Sequence, residues 1–170
     1  LKLLTMNNYF GETVVASGAT LQAGDYATVT PGTIGNGSVT NNGTLIFDEP
    51  GAYQIVYGVI SGSGKLQINN GPLTLSNDNT FTGKTTLSNN TSALTIGLGT
   101  PYGSLGGNGD VYMDNFANAV HFNSTSTNTY SGSISGAGAV TVDQGMLILT
   151  GNNTYANGTT IGAAAIVQVG

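Results

Sequence analysis

The chain has 170 residues, a net charge of −5, three lysines as its sole cations and no cysteine. That balance excludes a nucleic-acid binder, which needs clustered Lys and Arg to displace counterions from phosphates, and it argues equally against docking on an anionic membrane. Without cysteine there is no disulfide, no thiol chemistry and no cysteine-held zinc.

Gly, Asn, Ser and Thr supply 83 of the 170 residues, a composition that by itself suggests a disordered linker. The 39 per cent of hydrophobic residues and the low charge oppose that reading, because disordered segments are poor in apolar residues and self-repelling. No apolar run reaches the ~18 residues that a membrane-spanning helix needs. The opening Leu1-Lys2-Leu3-Leu4 is too short for the apolar stretch of an export signal, so any such signal is expected to be removed or to lie outside this segment.

In chain order, residues 1–15 line up with residues 73–87, matching Leu1/Leu73, Leu3/Leu75, Asn7/Asn79, Tyr9/Phe81, Gly11/Gly83 and Thr13/Thr85. Asp48-Glu49 before Pro50-Gly51 reads as a solvated corner. Residues 58–87 then carry the apolar pairs Leu66/Ile68 and Leu73/Leu75, separated by Asn70-Gly71-Pro72, and Leu94/Ile96 follows. Residues 97–130 diverge but keep the same alternation at Val111/Met113 and Val120/Phe122. Residues 132–161 repeat 58–87 without a gap, with Val140/Val142 and Leu147/Leu149, and the chain closes on Val167/Val169. Alternation at period two, punctuated by Gly, Asn and Pro, predicts short half-buried strands. A sustained 3.6-residue apolar pattern is missing, so the fold class is all-β.

The two full copies match at Ile60/Ile134, Leu66/Val140, Ile68/Val142, Leu73/Leu147, Asn79/Asn153 and Phe81/Tyr155 with one offset, the mark of repeat architecture. Two sandwich domains or one β-solenoid could carry it. Sandwich cores of this size are commonly pinned by Trp, which the chain lacks, whereas stacked coils use Thr and Asn in ladders and Gly and Asn at corners. The expectation is a single β-helix segment over residues 1–170, with about seven coils of roughly 25 residues, in which equivalent letters such as Leu66 and Val140 share a column. Both ends stop inside the periodic pattern without a polar cap, so a fragment of a longer rod is expected.

The string from Ile134 to Val142 (Ile-Ser-Gly-Ala-Gly-Ala-Val-Thr-Val), followed by Leu147-Ile148-Leu149-Thr150-Gly151-Asn152-Asn153-Thr154-Tyr155 and Gly158-Thr159, resembles the passenger-associated repeat of bacterial autotransporters. The copy from Ile60 to Leu87 fits with Phe81 for the Tyr and Asn77 for a Gly. Ser17-Gly18-Ala19-Thr20-Leu21 and Asn41 to Phe47 look like linking strands of such passengers, while Pro72 and the pair Asn157-Gly158 depart from the pattern at turns. The resemblance implies a right-handed parallel β-helix on the surface of a Gram-negative cell, anchored to or released from the outer membrane. It also implies a C-terminal outer-membrane barrel that this segment does not contain.

Such passengers have varied activities, so chemistry must be sought in the residues. The lone His121 sits among Val120 and Phe122, which point to the opposite side of a strand; this makes it a surface histidine, and no Gly-x-Ser-x-Gly elbow accompanies it. Gly106-Gly107-Asn108-Gly109-Asp110 is a near miss for a calcium-binding nonapeptide, and it does not recur as such a site requires. No catalytic residue, metal or cofactor is expected. The densest aromatic and acidic stretch is 97–130, where Tyr102, Asp110, Tyr112, Asp114 and His121 form a candidate ligand-contact surface. The expected function is a non-enzymatic adhesin segment, a rod that mediates or presents adhesion or self-association. Its partners would be a host or bacterial surface protein, a glycan or a like rod. A carbohydrate-active β-helix enzyme or carbohydrate-binding module is the alternative, and a fragment with no activity of its own is a third.

Overall fold

A computed structural model describes every residue except 50, 52, 107 and 108. The alternating residues form strands that wind upward through three parallel sheets. The first sheet stacks eight: β1 (Lys2–Leu3), β3 (Thr20–Ala23), β5 (Thr44–Asp48), β8 (Lys65–Asn70), β10 (Thr85–Leu87), β12 (Val111–Met113), β14 (Ile134–Gly136) and β16 (Thr154–Tyr155). The second stacks six: β6 (Gln54–Val56), β9 (Pro72–Leu75), β11 (Ala93–Thr100), β13 (Ala119–Tyr130), β15 (Ala139–Leu149) and β17 (Thr159–Val169). The third holds β2 (Thr13–Val15), β4 (Val39–Asn41) and β7 (Ile60–Ser61). The only helix among the described residues is a 3-10 turn at Tyr26–Thr28, capped by the Asp25 side chain.

The chain is therefore an all-β solenoid, with eight levels rather than about seven. The count rises because coils shorten: registered partners lie 19 residues apart at Leu66↔Thr85, although 26 apart at Thr85↔Val111. Inward positions stack into continuous columns. Phe47, Ile68, Leu87 and Met113 form one, and Leu73, Leu94, Val120 and Val140 form another; all eight side chains are buried. Each fully buried Leu, Ile or Val contributes about 1.5–3 kcal/mol, so the ladder of identical positions is what makes the winding stable.

The two sequence copies do not share columns. Leu66 stacks through Thr85 and Val111 to Ile134, six residues before Val140, while Val140 stacks through Val120 and Leu94 onto Leu73. Ile60 lies in the third sheet and its counterpart Ile134 in the first. Three of these unequal coils are shorter than one repeat, so the second copy starts one face further round the solenoid. Local chemistry is nevertheless kept. Asn79 Oδ1 accepts the Ile60 N–H at 2.9 Å, and Asn153 Oδ1 accepts the Ile134 N–H at 2.9 Å.

One corner is a column of glycines. A Cβ on Gly64 would lie 2.5 Å from the Gly43 carbonyl oxygen, one on Gly83 1.8 Å from that of Gly64, and one on Gly109 2.3 Å from that of Gly83. Gly132 and Gly151 continue it. Backbone approaches this close leave no room for a side chain. The Asp48-Glu49 corner also differs from expectation: Glu49 is 2 per cent exposed. Its Oε1 takes the Gly32 N–H and the Gln54 amide, each at 2.5 Å, in a space left by Gly24, whose Cβ would collide with the same oxygen. Pro50, at that corner, lies outside the described residues.

Candidate binding surfaces

Asp110, Tyr112 and Asp114 occupy alternate outward positions along and beside β12, whose Val111 and Met113 point into the core. Tyr112 is 39 per cent exposed, and Lys84 Nζ lies 4.8 Å from its ring centroid, a cation–π contact between neighbouring coils. Asp110 accepts the Ser133 N–H at 2.9 Å, which tethers it to the coil above. The Gly106–Asp110 motif includes residues 107 and 108, which lie outside the described residues.

His121 is on a different face. It projects outward from β13 in the second sheet between Thr95 and Thr141, and its Nδ1 is 3.6 Å from Asp143 Oδ2. Thr74, Thr95, Thr141 and Thr160 share its column, so a threonine ladder exists with a single histidine set into it. Tyr102 stands exposed in the loop after β11. The structure thus unites Asp110, Tyr112 and Asp114 and separates them from His121. Phe122 and Tyr130, aromatics of the same stretch, are instead buried with ring centroids 6.4 Å apart. Burial, and then the charge of Asp110, pushes the Tyr130 phenol well above its usual range, and its hydroxyl donates to the Gly109 carbonyl.

A concave surface lies outside residues 97–130. The second sheet begins at β6, since the coils below it pass that side as irregular backbone. Gln54 and Val56 point inward, so Tyr53, Ile55 and Tyr57 all point outward, 82, 37 and 52 per cent exposed. Together with Met6, Asn8 and Asn36 they wall a groove floored by Ile34. The signal was present in the sequence as Tyr-x-Ile-x-Tyr at period two, masked by an inward glutamine where an apolar residue is usual.

At the lower end Lys2 Nζ donates to Asp25 Oδ2 at 2.7 Å. That hydrogen bond first, then the Lys2 charge and the Ala27 N–H, hold the Asp25 carboxyl below the usual carboxylate range despite its partial burial. A depressed folded-state value contributes stability at neutral pH that is lost as pH falls through it. In Lys2→Met the Asp25 carboxyl, followed by NMR, is expected to titrate at higher pH than in the parent chain; an unchanged midpoint would remove the pairing from the account. Among the described residues no three His, Asp or Glu side chains gather as a metal site.

The family model of the passenger-associated-transport-repeat matches residues 67–89 and 142–169. The chain carries passenger-associated-transport-repeats. The matched windows start in β8 and in β15, on successive faces of the solenoid, as the one-face displacement of the copies requires. Repeat and parallel coils together fit an autotransporter passenger β-helix, and such a repeat implies an extracellular or surface setting. Neither curated proteins nor solved structures give a significant match.

Proposed function

We propose that this segment is a non-enzymatic, surface-displayed stretch of an autotransporter passenger, a stiff rod that mediates or presents adhesion or self-association. The observation that carries the reading is the unbroken parallel ladder of the first sheet through eight levels. At about 4.8 Å per level that ladder is roughly 34 Å tall, and every level is tied to the next by backbone hydrogen bonds. A rod built this way holds side chains at fixed heights above its anchor. Its partners would be a protein or glycan of another surface, or a like rod. No membrane insertion by the segment enters this reading.

The enzyme alternative needs carboxylates facing one another across a groove. The acidic residues of β12 line one strand and not two walls, and the lining of the β6 groove contains none. The test uses bacteria displaying the full passenger, with and without the outward substitutions Tyr102→Ser, Tyr112→Ser and His121→Ser, which leave both sheets intact. Settling and host-cell attachment are expected for the parent. A passive stalk, or a contact made by another face of the rod, keeps both in the triple variant, and a contact surface at these three residues loses them. Cells that neither settle nor attach with the parent passenger on display would overturn the reading.

A further inference from the structure

The groove beside β6 has the features of a site for a sugar chain. Tyr53 and Tyr57 are separated by four residues of extended chain, about 13 Å, and each ring is largely free in solvent with no ring contact or hydroxyl hydrogen bond among the described residues. Ile55 fills the space between them. Large aromatic faces left uncovered cost free energy in water and are recovered when an apolar surface packs on them. The C–H face of a pyranose is such a surface, and its hydroxyls need amides or hydroxyls close by. Asn8 and Asn36 supply these: neither side chain has a hydrogen-bond partner among the described residues, and both line the groove. Asn7 and Thr33, by contrast, are already bonded to each other's backbone, which fixes the wall.

Charge decides the class of sugar. No Lys, Asp or Glu is in the lining, so nothing there would pair with a sulfate, a uronate or a sialic acid. We infer that the β6 groove binds a neutral oligosaccharide, with Tyr53 and Tyr57 as stacking platforms and Asn8 and Asn36 as hydrogen-bonding partners for the hydroxyls. The spacing of the rings calls for a chain of several sugars, not a monosaccharide. The site gives the adhesive reading a ligand and rests on that reading for its biological setting.

The experiment titrates the 170-residue chain with maltohexaose, mannohexaose and N-acetylchitohexaose, and with a heparin hexasaccharide as charged comparator. Calorimetry and saturation-transfer NMR serve as readouts. At least one neutral hexasaccharide is expected to bind saturably, to weaken about tenfold or more in Tyr53→Ala/Tyr57→Ala, and to bind Phe116→Ala, an exposed aromatic outside the groove, as it binds the parent. Both tyrosines are exposed, so the far-UV spectrum should not change. Binding of the heparin fragment alone, no binding at all, or equal binding by the Tyr53/Tyr57 variant would each overturn the site. So would a change of sedimentation coefficient in that variant without loss of sugar, which would make the groove a contact between copies. Absent sugar binding with intact cell attachment defeats the groove and spares the rod, whereas sugar binding without cell attachment does the reverse.

Discussion

Gly83→Ala is expected to lower the stability of the solenoid by about 3 kcal/mol, the upper end of what a forced methyl costs in a packed site. The added Cβ would lie 1.8 Å from the Gly64 carbonyl oxygen and 2.8 Å from that of Ser63. Neither atom can yield cheaply, because the coil is pinned on both sides by Thr82 N–H to Gly62 O at 2.9 Å and Leu66 N–H to Lys84 O at 3.0 Å. Gly11→Ala is the control. Gly11 heads a second corner column with Gly37, yet a Cβ there meets nothing within 4 Å, so the substitution should be neutral or stabilising by about 0.4–1 kcal/mol through the unfolded chain. Urea midpoints followed by far-UV circular dichroism compare the two. Equal midpoints would mean that the corner does not depend on its glycines.

Asn79→Ala is expected to cost about 2–4 kcal/mol, and its sequence counterpart Asn153→Ala under about 1 kcal/mol. Asn79 is 1 per cent exposed and joins three levels: it accepts from Ile60 N–H at 2.9 Å and donates to Asn77 O at 2.7 Å and Ser104 O at 3.0 Å. Alanine leaves a buried N–H without an acceptor, and each such group costs about 1–3 kcal/mol. Asn153 makes the equivalent bonds to Ile134 N–H and Gly151 O at the uppermost level, where water replaces the lost partner. Amide exchange reads the difference directly: the Ile60 amide should accelerate in Asn79→Ala far more than the Ile134 amide does in Asn153→Ala. Similar costs for the two would show that the column does not seal Asn79 from solvent.

The strands were legible because alternation was clean: Leu66/Ile68, Leu94/Ile96 and Val140/Val142 all lie inward in the paired registers. The repeat was legible as well, yet its placement in space was not, since the letters of a copy carry no record of how many residues each corner consumes. The loop between Ile96 and Val111 stretches one coil, and the tight passage from Leu66 to Thr85 shortens another. Phe122 was legible as inward from its pairing with Val120, and Tyr130, further along the same long strand, is turned inward as well. Glu49 read as solvated because charge normally marks the outside; only the paired glycines opposite it make an inward carboxylate possible. The β6 ridge escaped because its inward partners are a glutamine and a valine, a pattern that does not announce a strand.

Since each copy begins one face later than the one before, a feature written once per repeat does not line up along one side of the passenger. It climbs around the shaft like the treads of a spiral stair and would return to its original bearing only after three periods. A passenger assembled from such copies would present the same chemistry in every direction at some height, however the shaft happens to be turned about its axis.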